Sequence, residues 1–122
     1  MIVESLTHLG MGKLADGSLL ARVLPGEEVE DGRILRPSTD RVSAPCRHFK
    51  TCGGCAVQHA SDAFIAEWKQ GIVKKALKAQ GLEPDFSPMH TSPPQSRRRA
   101  KLAGKRTKSG AMVGFHARAS DV

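Results

Sequence analysis

The chain has no tyrosine, one tryptophan and four phenylalanines among its 122 residues, so its core must be aliphatic and thin. A domain of this size buries about 60–70% of the surface its unfolded chain exposes, and a small core gains from a metal clip. No apolar run approaches the roughly 20 residues that a membrane-spanning helix needs. The start carries no charged-then-apolar leader. Cysteine is scarce as well: three, an odd number in one cluster, which argues against a secreted disulfide scaffold. Together these absences predict a cytoplasmic chain with no membrane association.

Acid is the other shortage. Up to Asp85, 11 basic residues balance 11 acidic ones, whereas from Phe86 onward 8 basic residues face only Asp121, so the whole net charge of +7 lies there. A neutral part joined to a basic part predicts a polyanionic partner along one side. A solvated tail would carry the same charge.

All three cysteines, Cys46, Cys52 and Cys55, fall within ten residues as Cys-x5-Cys-Gly-Gly-Cys. Glycines between two cysteines remove Cβ bulk and permit positive φ, letting the chain fold back until the sulfurs face one point. Thiolates crowded together repel unless a cation neutralises them, which makes a metal centre the natural reading. Three buried apolar cysteines would leave the spacing unexplained. A redox Cys-x-x-Cys wants a strand-to-helix setting that the flanks lack. The set is one short of the four thiolates of an iron–sulfur cluster. It would complete a Cys3His zinc site if His48 or His59 supplied the fourth ligand. Spacing leaves both open, and His59, just before a helix start, also suits a capping or packing role.

Before the cysteines, short strands are predicted at 2–3, 19–23 and 32–35, broken by turns at Gly10-Met11-Gly12, Ala15-Asp16-Gly17-Ser18 and Pro25-Gly26. This suggests a small, strongly bent β-barrel or part of one. Gly10-x-Gly12 lacks the third glycine and following helix of a dinucleotide loop. Residues 36–41 read as a linker.

After the cysteines, Ser61 or Asp62 caps a predicted helix running to about Gln80. Phe64, Ile65, Trp68, Ile72, Val73, Ala76 and Leu77 make its apolar face. Lys74, Lys75 and Lys78 sit near the negative end of the helix dipole, and Gly81 and Pro84 end the helix. Trp68, on the apolar stripe, reads as core packing rather than RNA stacking. A proline-rich linker follows, then a basic β-hairpin predicted over 97–118 with its turn at Lys108-Ser109-Gly110. Arg97, Arg99 and Lys101 would share one strand face, Arg98, Ala100 and Leu102 the other, and Val113 and Phe115 a face able to pack on the core. A row of cations suits a phosphate backbone. Arg97, Arg98, Arg99, Lys101, Lys105 and Arg106 are the candidate nucleic-acid contacts, against the alternative of solubilising charges on an exposed strand.

Ala44-Pro45-Cys46, Cys52-Gly53-Gly54-Cys55 and Gln58-His59 resemble the iron–sulfur segment of S-adenosylmethionine-dependent RNA uracil-5-methyltransferases. Leu9-Gly10-Met11-Gly12, Asp16-Gly17 and Leu24-Pro25-Gly26-Glu27 are similar to that family's TRAM domain, an OB-like RNA-binding barrel. Arg97-Arg98-Arg99-Ala100-Lys101-Leu102 and Val113-Gly114-Phe115 look like the first hairpin of its central domain. The resemblance implies a [4Fe-4S] cluster on Cys46, Cys52 and Cys55, with a fourth cysteine outside this chain. It implies an α+β chain of three parts. Residues 1–42 are a shortened TRAM-like barrel and linker, and 43–60 are the metal loop. Residues 61–122 begin a central domain, with a helix at 61–80, a linker at 81–96 and the basic hairpin at 97–118.

In that family a later domain binds S-adenosylmethionine, and a cysteine there attacks C6 of uracil before the methyl group passes to C5. No residue here matches that machinery, since every cysteine is committed to the metal loop. The expectation is a monomeric N-terminal portion of such an enzyme, recognising ribosomal or transfer RNA and inactive alone. A stand-alone RNA-binding module with a Cys3His zinc site is the alternative, and a truncated chain that does not fold is a third reading.

Overall fold

Val3, Leu14, Val23 and Val29 form the buried cluster that gathers the N-terminal region, with Leu20 and Ile34 packed against it. Each such side chain contributes about 1.5–3 kcal/mol when fully buried. The computed structural model describes residues 1–117, arranged as α+β with small antiparallel sheets and one helix. Strands β1 (Val3–Leu6), β2 (Gly12–Leu14) and β3 (Leu19–Leu20) make an antiparallel sheet in that order. Strands β4 (Glu28–Glu30) and β5 (Arg33–Arg36) make a two-stranded one. The two sheets meet where Ile2 bridges Glu28 and the Val3 amide donates to the Glu27 carbonyl at 2.9 Å.

Among the described residues these strands do not close into a barrel. β2 and β4 escaped the sequence reading because Gly-Lys-Leu and Glu-Val-Glu are too short to show alternation. The strand expected at 19–23 stops at Leu20, because Arg22 turns the chain with φ +61°. Gly12 sits inside a strand because a Cβ there would collide with the Val23 side chain.

Glu27, fully buried, ties this region to the cysteine loop. Its carboxylate accepts from the Leu24 and Ser38 amides and from Arg41, whose Nη2 also donates to the Arg22 carbonyl. Arg41 then bridges Ala60, the Val42 amide donates to the His59 carbonyl, and the Ser61 amide donates to the Asp40 carbonyl. The chain between, with all three cysteines, is therefore a loop pinched at its base.

Ser61 caps helix α1 (Asp62–Ala79) by accepting from the Phe64 amide. Gly81, at φ +76°, ends it, with Gly81 donating to the Lys78 carbonyl and Leu82 to the Leu77 carbonyl. These two bonds are those of a Schellman cap. No helix residue is fully buried: Phe64, Trp68, Ile72 and Leu77 are half-covered and Val73 is exposed. The proline-rich linker returns along the helix, where Gln70 donates to the Ser87 carbonyl and Lys74 lies 5.1 Å from the Phe86 ring centroid. No helix among the described residues is long and apolar enough to cross a membrane.

The basic hairpin is shorter than predicted. Strands β6 (Ala103–Thr107) and β7 (Gly110–Gly114) pair around Lys108 and Ser109, so Gly110 opens the second strand rather than completing the turn. Residues 97–102 precede β6 as irregular backbone, so the expected cation faces on a strand are absent there. Nor does the hairpin pack on the core: Val113 is 71% exposed, and Phe115, past the strand end, lies against Gly54. Arg118, the last residue of the expected hairpin, and Asp121 lie outside the described residues.

Candidate functional site

Phe49 anchors the cysteine loop. It is buried, with its ring centroid 5.6 Å from that of His59, whose Nε2 lies 2.9 Å from the Val23 carbonyl oxygen. His59 is thus a buried packing residue between loop and sheet. Around Phe49 the backbone is wound tightly: Phe49 donates to the Cys46 carbonyl, and Thr51 and Cys52 both donate to the His48 carbonyl. The Cys46 amide donates to Gln58 Oε1 at 3.1 Å, drawing the loop's two ends together. On the far side, the Gly10 turn lies against Ala56, Val57 and Trp68, where an added Cβ would approach to 3.1, 3.2 and 3.9 Å.

This winding leaves Cys46 and Cys55 exposed and Cys52 half-buried. The Gly54 amide donates to Cys52 Sγ at 3.3 Å.

The two intervening glycines matter for their missing Cβ and not for the positive φ that the sequence reading also allowed them. Neither is among the positive-φ glycines of the described residues. The chain after the hairpin instead crosses directly over them. Gly53 donates to the His116 carbonyl at 2.7 Å, and Cys52 bridges Ala117. A Cβ on Gly53 would sit 2.7 Å from the His116 oxygen and 3.0 Å from the Ala117 oxygen, and one on Gly54 would be 3.2 Å from the Phe115 ring. At Gly53 backbone lies on backbone, and at Gly54 the Phe115 ring lies over the chain. Sequence could not show this, since the partner strand is more than sixty residues away along the chain.

Among the described residues no three Cys, His, Asp or Glu side chains gather so as to hold a metal ion. His48 Nε2 instead accepts from Arg47 Nε at 3.3 Å, and His59 is packed against Phe49. The donor chemistry still fits an iron–sulfur cluster in part. Three soft sulfurs ride on one surface loop, one of them already accepting an N–H···S bond, and hydrogen bonds to sulfur tune such clusters. They are one fewer than the four thiolates that usually hold such a cluster.

The candidate RNA-contacting cations fall into two groups. Arg97, Arg98, Arg99 and Lys101 are exposed on the irregular segment before β6. The three arginines line an open cleft of about 580 Å³ with Ser92, Pro93, Gln95 and Ser96, shaped by the Ser96 hydroxyl donating to the Pro93 carbonyl. Lys105 and Arg106 are exposed on β6, opposite Met112 and Ala111, and as successive strand residues they point to opposite faces.

Glu27 and Arg41 went unnoticed in the sequence, where neither has a signature beyond the Leu-Pro-Gly-Glu turn. Burial alone would raise the Glu27 carboxyl, but hydrogen bonds from Arg41 and from the Ser38 and Leu24 amides outweigh it and hold it below the usual range.

No family model matches this chain. It is 37% identical over 117 residues to an uncharacterized RNA methyltransferase of Brucella suis, covering 88% of this chain and 28% of the relative. To another in Caulobacter vibrioides it is 39% identical over 124 residues, covering 91% of this chain and 30% of the relative. To the 23S rRNA (uracil(1939)-C(5))-methyltransferase RlmD of a Marinomonas strain it is 34% identical over 139 residues, covering 97% of this chain and 31% of that protein. The chain thus spans under a third of the length of these curated relatives.

Proposed function

We propose that this chain, a member of the RNA methyltransferase family, forms the RNA-recognition and [4Fe-4S]-binding part of an RNA uracil-5-methyltransferase. Cys46, Cys52 and Cys55 hold three corners of the cluster, whose role is structural, and the fourth ligand comes from elsewhere. The observation that carries this reading is the pinched surface loop that presents all three sulfurs.

The five-stranded N-terminal region is the shortened TRAM-like unit of 1–42, followed by the metal loop of 43–60. The central domain begins with α1 and the basic ribbon, over 61–122. Arg97, Arg98, Arg99, Lys101, Lys105 and Arg106 contact the RNA phosphates. The likeness to the Marinomonas 23S rRNA (uracil(1939)-C(5))-methyltransferase favours 23S ribosomal RNA as substrate, and the reaction is methyl transfer from S-adenosylmethionine to C5 of a uridine. The 122-residue chain recognises RNA and does not itself transfer methyl groups.

The test is to measure binding of the anaerobically purified chain to a 23S rRNA fragment and to transfer RNA, with S-adenosylmethionine turnover assayed in parallel. Tighter binding to the ribosomal fragment with no turnover supports the reading. Turnover by these residues, or no RNA binding at low salt, contradicts it.

A further inference from the structure

Phe115 is 44% exposed, whereas the other three phenylalanines and Trp68 are buried or half-covered. A chain with so few aromatic rings forgoes a large share of possible core by leaving one in water. The ring is nevertheless held in place. It rests against Gly54, where an added Cβ would stand 3.2 Å from it, and the carbonyl of the next residue, His116, accepts from the Gly53 amide at 2.7 Å. The loop thus backs the ring, which also borders an open cleft of about 620 Å³ on the basic ribbon. Small-ligand sites fall in the range of about 300–1,000 Å³.

The register of the ribbon builds the floor of that cleft. Directly opposed residues of antiparallel strands share a face, so Lys105 with Met112, and Ala103 with Gly114, stand on one side. Ala103 and Gly114 keep that side flat next to Phe115. A Cβ on Gly114 would meet nothing within 4 Å, so packing does not require this glycine, and its effect is to leave the floor open. Lys105 and His116, both exposed, stand at the rim. No acid lines the cleft, and none occurs from Phe86 to Ser120.

An aromatic platform, an open floor and a cation with no opposing carboxylate fit an unpaired nucleobase on the ring with a phosphate on the ammonium. We propose that this cleft is a base-stacking site for single-stranded RNA, with Phe115 as the platform and Lys105 as the phosphate contact. The inference rests on the functional reading above and deepens it, from contact with the backbone alone to contact with a base. Every base has a π-face, so the site selects unpaired bases without choosing among them.

The test measures binding of this chain to a short single-stranded RNA and to an oligomer of the same length and charge built of stable abasic units. The base-bearing strand should bind about five-fold or more tightly, the lower end of what one base stacked on an aromatic contributes. The ring-proton resonances of Phe115 should move upfield with that strand and not with the abasic one, because a stacked base shields the ring. Phe115→Leu and Gly114→Leu, which remove the platform and fill the floor, should still bind RNA with an unchanged salt slope. In both, the preference for the base-bearing strand should fall to about one.

Helical circular dichroism of normal strength shows that a variant is folded, and the two measurements on the unaltered chain decide the question if neither is. Equal affinity for the two oligomers, unmoved Phe115 resonances, or a preference that survives in either folded variant would overturn the proposal. The ribbon face would then be a surface for further protein, and the functional reading would stand. A chain that binds neither oligomer at low salt removes the functional reading and this site together.

Discussion

Glu27 and Arg41 meet through two contacts, Nε to Oε2 at 2.6 Å and Nη2 to Oε1 at 2.8 Å, with the Glu27 side chain wholly buried and the Arg41 side chain 24% exposed. They join the β3–β4 turn to the strand stub at the base of the cysteine loop. Removing one partner of a buried pair costs about 3–5 kcal/mol, because the other is left buried and uncompensated. Arg41→Ala should fall at the low end, since two backbone amides still serve Glu27. Urea unfolding of the single and double variants measures this, and the double Glu27→Gln, Arg41→Ala variant should lose less than the sum of the two.

The same pair sets an acid limit. Glu27 titrates below its ordinary value of 4.5 in the folded chain. Its stabilisation is therefore complete above that value and disappears as pH falls through the lower folded value. Thermal unfolding followed from neutral pH into the acid range should show a decline beginning below about pH 4.5. In Glu27→Gln the curve should start lower and be flatter.

Two glycines should respond in opposite directions. At Gly12 an added Cβ meets Val23 and lies 3.1 Å from Val3 Cγ1, in the buried cluster, so Gly12→Ala should destabilise by about 1–3 kcal/mol. At Gly71, inside α1, nothing lies within 4 Å, so Gly71→Ala should stabilise by about 0.8–1 kcal/mol. Denaturant midpoints of the two variants decide both.

The contrast between those glycines also shows what sequence could reveal. Helix α1 was legible to within a residue because its cap, apolar stripe and Gly81 terminator are local signals. Three sulfurs in one loop were legible for the same reason. Of the five N-terminal strands, β1, β3 and β5 were legible in part, whereas β2 and β4 were not, since three-residue strands carry too few side chains for a period to show. The arginine segment was misread as a strand because alternating charge alone does not specify pairing: β6 begins only at Ala103, where a partner strand exists. The crossing over Gly53 and the Glu27–Arg41 clasp depend on residues distant in the chain, and nothing local announces them.

If Arg97, Arg98 and Arg99 lie on phosphates, replacing all three with serine should weaken RNA binding without changing sequence preference. The logarithmic salt slope should shrink by about 0.7 per lost single-strand contact, or about two in all. Binding isotherms over a range of potassium chloride check this. Lys105→Ser and Arg106→Ser, on opposite faces of β6, should not reduce the slope equally.

The most direct measurement is the iron and acid-labile sulfide content of the anaerobically purified chain and of its Cys46→Ser, Cys52→Ser and Cys55→Ser variants. The account expects a brown protein holding iron and sulfide together, with each serine substitution losing both. A colourless chain that carries a single zinc, or no metal at all, and is indifferent to the three substitutions would contradict it.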